Sequence, residues 1–137
     1  MSAVETFEEF QPVFNKQTDS VYVVNFWATW CKPCVEELPD IEKITKDYSD
    51  KKVKVLLVSL DDLKTLDTKV RPFVKNNAIL SEVILLDDPY TSTWIPKVDP
   101  HWDGAIPATL VYRKDRRFFF PKKITYDVLQ RHIDELL

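Results

Sequence analysis

Glycine is almost missing. The 137 residues contain one, Gly104, where an average usage of about 7% would give roughly ten. Turns therefore fall to Asp, Asn, Lys and nine prolines, and the glycine that is kept is expected where other residues do not serve. Cysteine is scarce as well, at two residues. Two thiols exclude a multi-disulfide framework and leave a four-thiolate zinc site half built. Histidine also occurs only twice, at His101 and His132, far from the cysteines and from each other in sequence. No apolar run is long enough for a bilayer-spanning helix, since the longest, Val53 to Leu60, is broken by Lys54 and Ser59. Positive charge is not in excess: the formal net charge of -3 removes the usual reason to expect nucleic acid as a partner. With no repeat, linker or low-complexity stretch, residues 1–137 are expected to form a single domain, large enough to bury a core without staples. The start, Met1-Ser2-Ala3-Val4-Glu5, lacks the basic and apolar segments of a signal peptide. As written, the chain is expected to stay where it is made, unless it was cut from a longer exported precursor.

What is present centres on Trp30-Cys31-Lys32-Pro33-Cys34. Both cysteines lie in it, two residues apart, after a strand-forming run and before a helical pattern. Thiols at this spacing on a first helical turn are close enough to bridge, and the unpaired N–H groups and dipole there favour a thiolate. A thiolate is a nucleophile toward disulfides. The other readings of a CxxC are half of a zinc site and a plain structural disulfide. The first lacks a second cysteine pair, and in the second so short a loop would constrain the unfolded chain little.

Along the chain, Thr6-Phe7-Glu8-Glu9 reads as a capping box opening a short helix that Pro12 kinks. Val21 to Trp27 is a near-continuous apolar strand interrupted by Asn25. Val35, Leu38, Ile41, Ile44 and Tyr48 give an amphipathic helix with Glu42 and Lys46 paired outside and a kink at Pro39. Val53 to Ser59 is a second buried strand, parallel to the first. A helix over Leu63 to Asn77, broken at Pro72, leads to a short strand, Val83 to Leu86. Thr93 to Val98 reads as one helical turn. Ala108 to Tyr112 and Phe118 to Phe120 form a hairpin across Lys114-Asp115-Arg116. Thr125 caps a last helix whose inward stripe is Val128, Leu129, Ile133, Leu136 and Leu137.

Asn25 to Cys34, followed by Glu37 and Pro39, resembles the thioredoxin superfamily, and within it the TlpA/ResA-like reductases with their WCxPCxxExP pattern. Gly104-Ala105-Ile106-Pro107-Ala108-Thr109 is similar to that family's cis-proline loop, and Leu63 to Leu86 to the helix and strand this branch inserts. The resemblance implies an α/β thioredoxin fold, with a mixed central sheet flanked by helices. It implies a protein disulfide reductase with no cofactor beyond the Cys31-Cys34 couple. Cys31 attacks, Cys34 resolves, and Glu37 moves protons in place of the acidic residue that ordinary thioredoxins carry where this chain has Asn25. Trp30, Lys32, Pro33, Ile106 and cis Pro107 would meet substrate. Protein disulfides, an electron-donor protein in the membrane and an extracytoplasmic setting follow from the same resemblance, with the domain acting as a monomer and a cytoplasmic setting left open. The dipeptide Lys32-Pro33 differs from the Gly-Pro of cytosolic thioredoxin, and this pair tunes the potential.

Competing readings attach to several residues. Trp27 shares the platform reading with Trp30, against a place in the core. His101 beside Trp102 makes a copper chaperone thinkable, and a redox-sensing interaction domain is a further alternative. Metal ligands are not expected: Asp61-Asp62 and Asp87-Asp88 read as turn and cap residues.

Overall fold

Val21–Trp27 is buried along its whole length, and the sheet is built outward from it. The computed structural model describes residues 2–4 and 6–137. In chain order the elements are β1 (Ser2–Val4), α1 (Phe7–Phe10), a 3-10 turn (Gln11–Phe14), β2 (Val21–Trp27), α2 (Lys32–Asp47) and β3 (Val53–Ser59). A 3-10 turn (Leu63–Thr65) and a π turn (Leu66–Val70) lead into α3 (Arg71–Asn76), followed by β4 (Glu82–Leu86), α4 (Thr91–Val98), β5 (Ala108–Arg113), β6 (Arg116–Phe120) and α5 (Tyr126–Leu136).

The sheet has six strands in the order β1-β4-β3-β2-β5-β6. β1, β4, β3 and β2 run parallel, and β5 and β6 join antiparallel. This order fixes where chemistry can gather. The carboxyl end of β2 and the amino end of β5 lie at one edge of the sheet, Phe26 standing opposite Ala108. Two apolar layers cover the faces. Cys34, Leu38, Ile41 and Ile44 of α2 and Leu129 and Ile133 of α5 pack on one. Phe7, Phe10, Phe14, Trp94 and Trp102 pack on the other.

Several local expectations are corrected. β1 has no counterpart in the sequence reading; three residues carry too little pattern. Glu42 does not pair with Lys46 but accepts the N–H groups of Leu80 at 3.0 Å and Ser81 at 3.3 Å. Pro72 lies in the first turn of α3, where its missing N–H costs nothing, and the helical run changes there from the π turn to α3, at the place where a break was expected. α4 has eight residues with Pro96 inside, longer than the single turn expected. Leu137 faces solvent because α5 ends before it.

Gly104 has φ +94, a conformation that L side chains rarely adopt. It stands in the loop ahead of β5, and an added Cβ would lie 2.8 Å from Ile95 Cδ1.

Candidate active site

Between β2 and α2 the chain makes a tight turn. The Cys31 N–H donates to Ala28 O at 3.2 Å, so Thr29 and Trp30 are its two central residues. Cys31 is the N-cap of α2, and its carbonyl accepts the Val35 N–H at 3.0 Å. Cys34 lies in the first helical turn, and the two cysteines form a disulfide with their Cα atoms 5.2 Å apart. They differ in access: Cys31 is 6% exposed and Cys34 1%. Trp30 projects into solvent at 70%, and Lys32 and Pro33 are exposed beside it.

The loop before β5 closes on this turn. The Ile106–Pro107 peptide is cis, and Ile106 O lies 3.8 Å from Cys31 Sγ. Trp102, buried beneath the loop, donates its indole N–H to Ala105 O at 2.9 Å. The Gly104 conformation lets the chain turn between these two residues.

Glu37, one helical turn beyond Cys34, is 1% exposed. Its carboxylate therefore lies inside the core. Its Oε1 accepts from Asn25 Nδ2 at 2.9 Å and its Oε2 from the Ile124 N–H at 2.7 Å. Burial outweighs these bonds and pushes its pKa up to about 7. Asn25 Nδ2 also reaches Thr109 Oγ1 at 3.0 Å, while Asn25 Oδ1 has no partner. Thr109 stands in the sequence only as the end of the proline loop and the Ile124 N–H has no signal there, because only tertiary folding brings them to Asn25 and Glu37.

Trp27 is fully buried, with its ring 5.3 Å from that of Phe73, so it belongs to the core, and of the two tryptophans Trp30 is the exposed one. The His101 side chain is 91% exposed and lies 3.6 Å from Asp99. Among the described residues no group of three or more His, Cys, Asp or Glu is placed to hold a metal ion. The copper reading has no ligand set here.

A family model described as AhpC/TSA matches residues 7–117, which include both cysteines, Glu37 and Pro107. The chain belongs to the AhpC/TSA family. It has the thioredoxin fold, as the solved structures it superposes on show. It is 45% identical over 51 residues to the thioredoxin-like protein YneN of Bacillus subtilis, covering 37% of this chain and 29% of that protein. Over 52 residues it is 38% identical to the thiol-disulfide oxidoreductase ResA of Bacillus thuringiensis, covering 38% and 28%. These matches thus span less than a third of the relatives' own length. Among solved structures, a DsbF homologue from Corynebacterium diphtheriae superposes with TM-score 0.71 at 26% identity, over 87% of this chain and 73% of that one. A secreted thiol-disulfide isomerase from Corynebacterium glutamicum superposes with TM-score 0.73 at 22% identity, over 95% and 74%. The AhpC/TSA match stops ahead of α5, whose preceding loop supplies the Ile124 N–H to Glu37.

No helix of the described residues is long and apolar enough to cross a membrane.

Proposed function

We propose that this chain is a protein thiol-disulfide oxidoreductase working as a reductase. The observation that carries the reading is the bridged Cys31–Cys34 pair on the first turn of α2, with the outer sulfur beside the Ile106 carbonyl and an exposed tryptophan.

In the reduced protein the Cys31 thiolate attacks one sulfur of a client disulfide. A new S–S bond forms, and the other client sulfur leaves as a thiolate that takes a proton. Cys34 then loses its proton and attacks Cys31 Sγ, which breaks the mixed disulfide and releases the second client thiol. Two electrons pass to the client, and the Cys31–Cys34 disulfide remains. The couple itself is the electron carrier, and an external dithiol protein resets it.

Glu37 is the group we assign to the Cys34 proton. A carboxylate with pKa about 7 both accepts and returns a proton near neutral pH. Trp30, Lys32 and Pro33, with Ile106 and Pro107 across the turn, form the surface against which an extended client segment lies. The clients in this reading are protein disulfides and the domain acts as a monomer. An extracytoplasmic setting accords with the secreted isomerase of like fold, and a membrane-held electron donor belongs to the same proposal.

The test is catalysed reduction of insulin disulfides by dithiothreitol, with the Cys31→Ser variant as control. Acceleration by the wild type that the variant lacks is the expected result. Equal rates with and without wild-type protein would refute the reading, and a measured reduction potential then gives the direction of electron flow.

A further inference from the structure

Asp61 was read from sequence as a turn residue, yet its side chain is buried, at 2% exposure. It has no cationic partner among the described residues, and every group bonded to it is a neutral donor. The Thr29 N–H lies 3.1 Å and 3.3 Å from its two oxygens, the Thr29 hydroxyl 2.6 Å from Oδ1, and the Ser59 hydroxyl 2.5 Å from Oδ2. The Asp61 N–H in turn donates to Ser59 Oγ at 3.1 Å. A buried carboxylate without a cation is costly unless its lone pairs are filled by donors, and here two of the donors belong to one residue. That residue is the first central position of the turn whose second is Trp30 and whose last is Cys31.

We propose that Asp61 is a positioning residue for disulfide exchange: it clamps the Thr29–Trp30 turn to the end of β3, holding Cys31 at the N-terminus of α2 and Trp30 out toward the client. The inference rests on the exchange reading above. β2 and β3 themselves reach only as far as the pairing of Trp27 with Ser59 and the Leu60 N–H bond to Trp27 O at 2.8 Å. Beyond that point the Asp61 carboxylate is what ties the turn to β3. Ala28 O receives the Cys31 N–H, but that bond lies within the turn and leaves it free to swing as a unit.

Charge and positioning are separable. Asn in place of Asp, with its oxygen at the Oδ1 position, keeps an acceptor for the Thr29 N–H and hydroxyl, while the Ser59 hydroxyl can reverse to accept from the amide N–H. Asp61→Asn thus removes the charge and keeps the clamp, and Asp61→Ala removes both.

The experiment measures Cys31 alkylation by iodoacetamide at neutral pH in the reduced wild type, Asp61→Asn, Asp61→Ala and Thr29→Val, alongside denaturant unfolding of each. This readout needs no disulfide-exchange activity, so it stands whether or not insulin is turned over. Loss of the clamp moves the sulfur off the helix N-terminus that favours its thiolate. Asp61→Ala is therefore expected to alkylate on the order of tenfold more slowly than Asp61→Asn. Thr29→Val, which deletes one donor, should shift the same way by less. Equal rates in the Ala and Asn variants overturn the proposal, even if Ala is the less stable. Should Asp61→Ala fail to fold, Thr29→Val decides: a wild-type alkylation rate there overturns it, and a slower one upholds it.

Discussion

Asn25 Nδ2 lies 2.9 Å from Glu37 Oε1, so the polar residue of the central strand meets the carboxylate behind the redox pair inside the core. An amide donor at this place favours the carboxylate, whereas burial favours the acid. The balance leaves Glu37 titrating at about 7.

Glu37→Gln keeps the shape and removes the titration. Exchange at neutral pH should slow on the order of ten- to a hundredfold, and the pH-rate profile should lose its inflection near 7 with the fold intact by circular dichroism. An unchanged profile would leave water as the proton carrier.

The same shift makes stability depend on pH. The folded-state pKa lies above the ordinary 4.5, so between these values the native state holds a proton that the unfolded chain has lost. Unfolding free energy should therefore fall as pH rises through this window, by roughly 3 kcal/mol in the limit of one independent site, and level off above it. Urea titrations of the oxidised protein measure the slope, and Glu37→Gln should flatten it.

The cysteines differ in access, Cys34 being the more deeply buried. Cys34→Ser should accumulate a mixed disulfide with a model substrate, visible as a mass adduct on non-reducing gels, and Cys31→Ser should not. Equal trapping by both variants would reverse the assignment of roles.

Two tryptophans three residues apart should respond oppositely to truncation. Trp27→Ala empties a fully buried site and should cost about 3–5 kcal/mol in unfolding free energy. Trp30→Ala should change stability by no more than about 0.5 kcal/mol and instead raise KM for a protein client. Denaturation and client kinetics on both variants check the pair.

Much of this arrangement is legible in the sequence because it is local. The CxxC, the near-continuous apolar run of β2 and the 3.6-residue stripe of α2 each declare themselves within one element. The Thr125 cap does so as well: its side chain accepts the Val128 N–H as expected. What was not legible depends on groups far apart in the chain. The burial of Glu37 is not legible because its neighbours on the helix face do not reveal its partners Asn25 and Ile124. Asp61 reads as a turn former because its partner Thr29 is 32 positions away. Prolines lie inside three of the helices, at Pro39, Pro72 and Pro96, so a proline in the sequence does not by itself mark where a helix ends. A missing N–H is tolerated in a first turn, and elsewhere surrounding packing can offset its loss.

β5 enters the sheet beside β2 although most of the chain separates them. On the ribosome, therefore, Cys31 and Cys34 emerge long before the loop that will face them. Until Ala108 to Arg113 has been made, Asn25 has no Thr109 and Cys31 has no Ile106 carbonyl. A nascent chain stopped ahead of β5 would present two unscreened thiols, open to pairing with any passing disulfide. The reactive centre of this fold is assembled late, and the cell's redox machinery meets its parts before it meets the finished site.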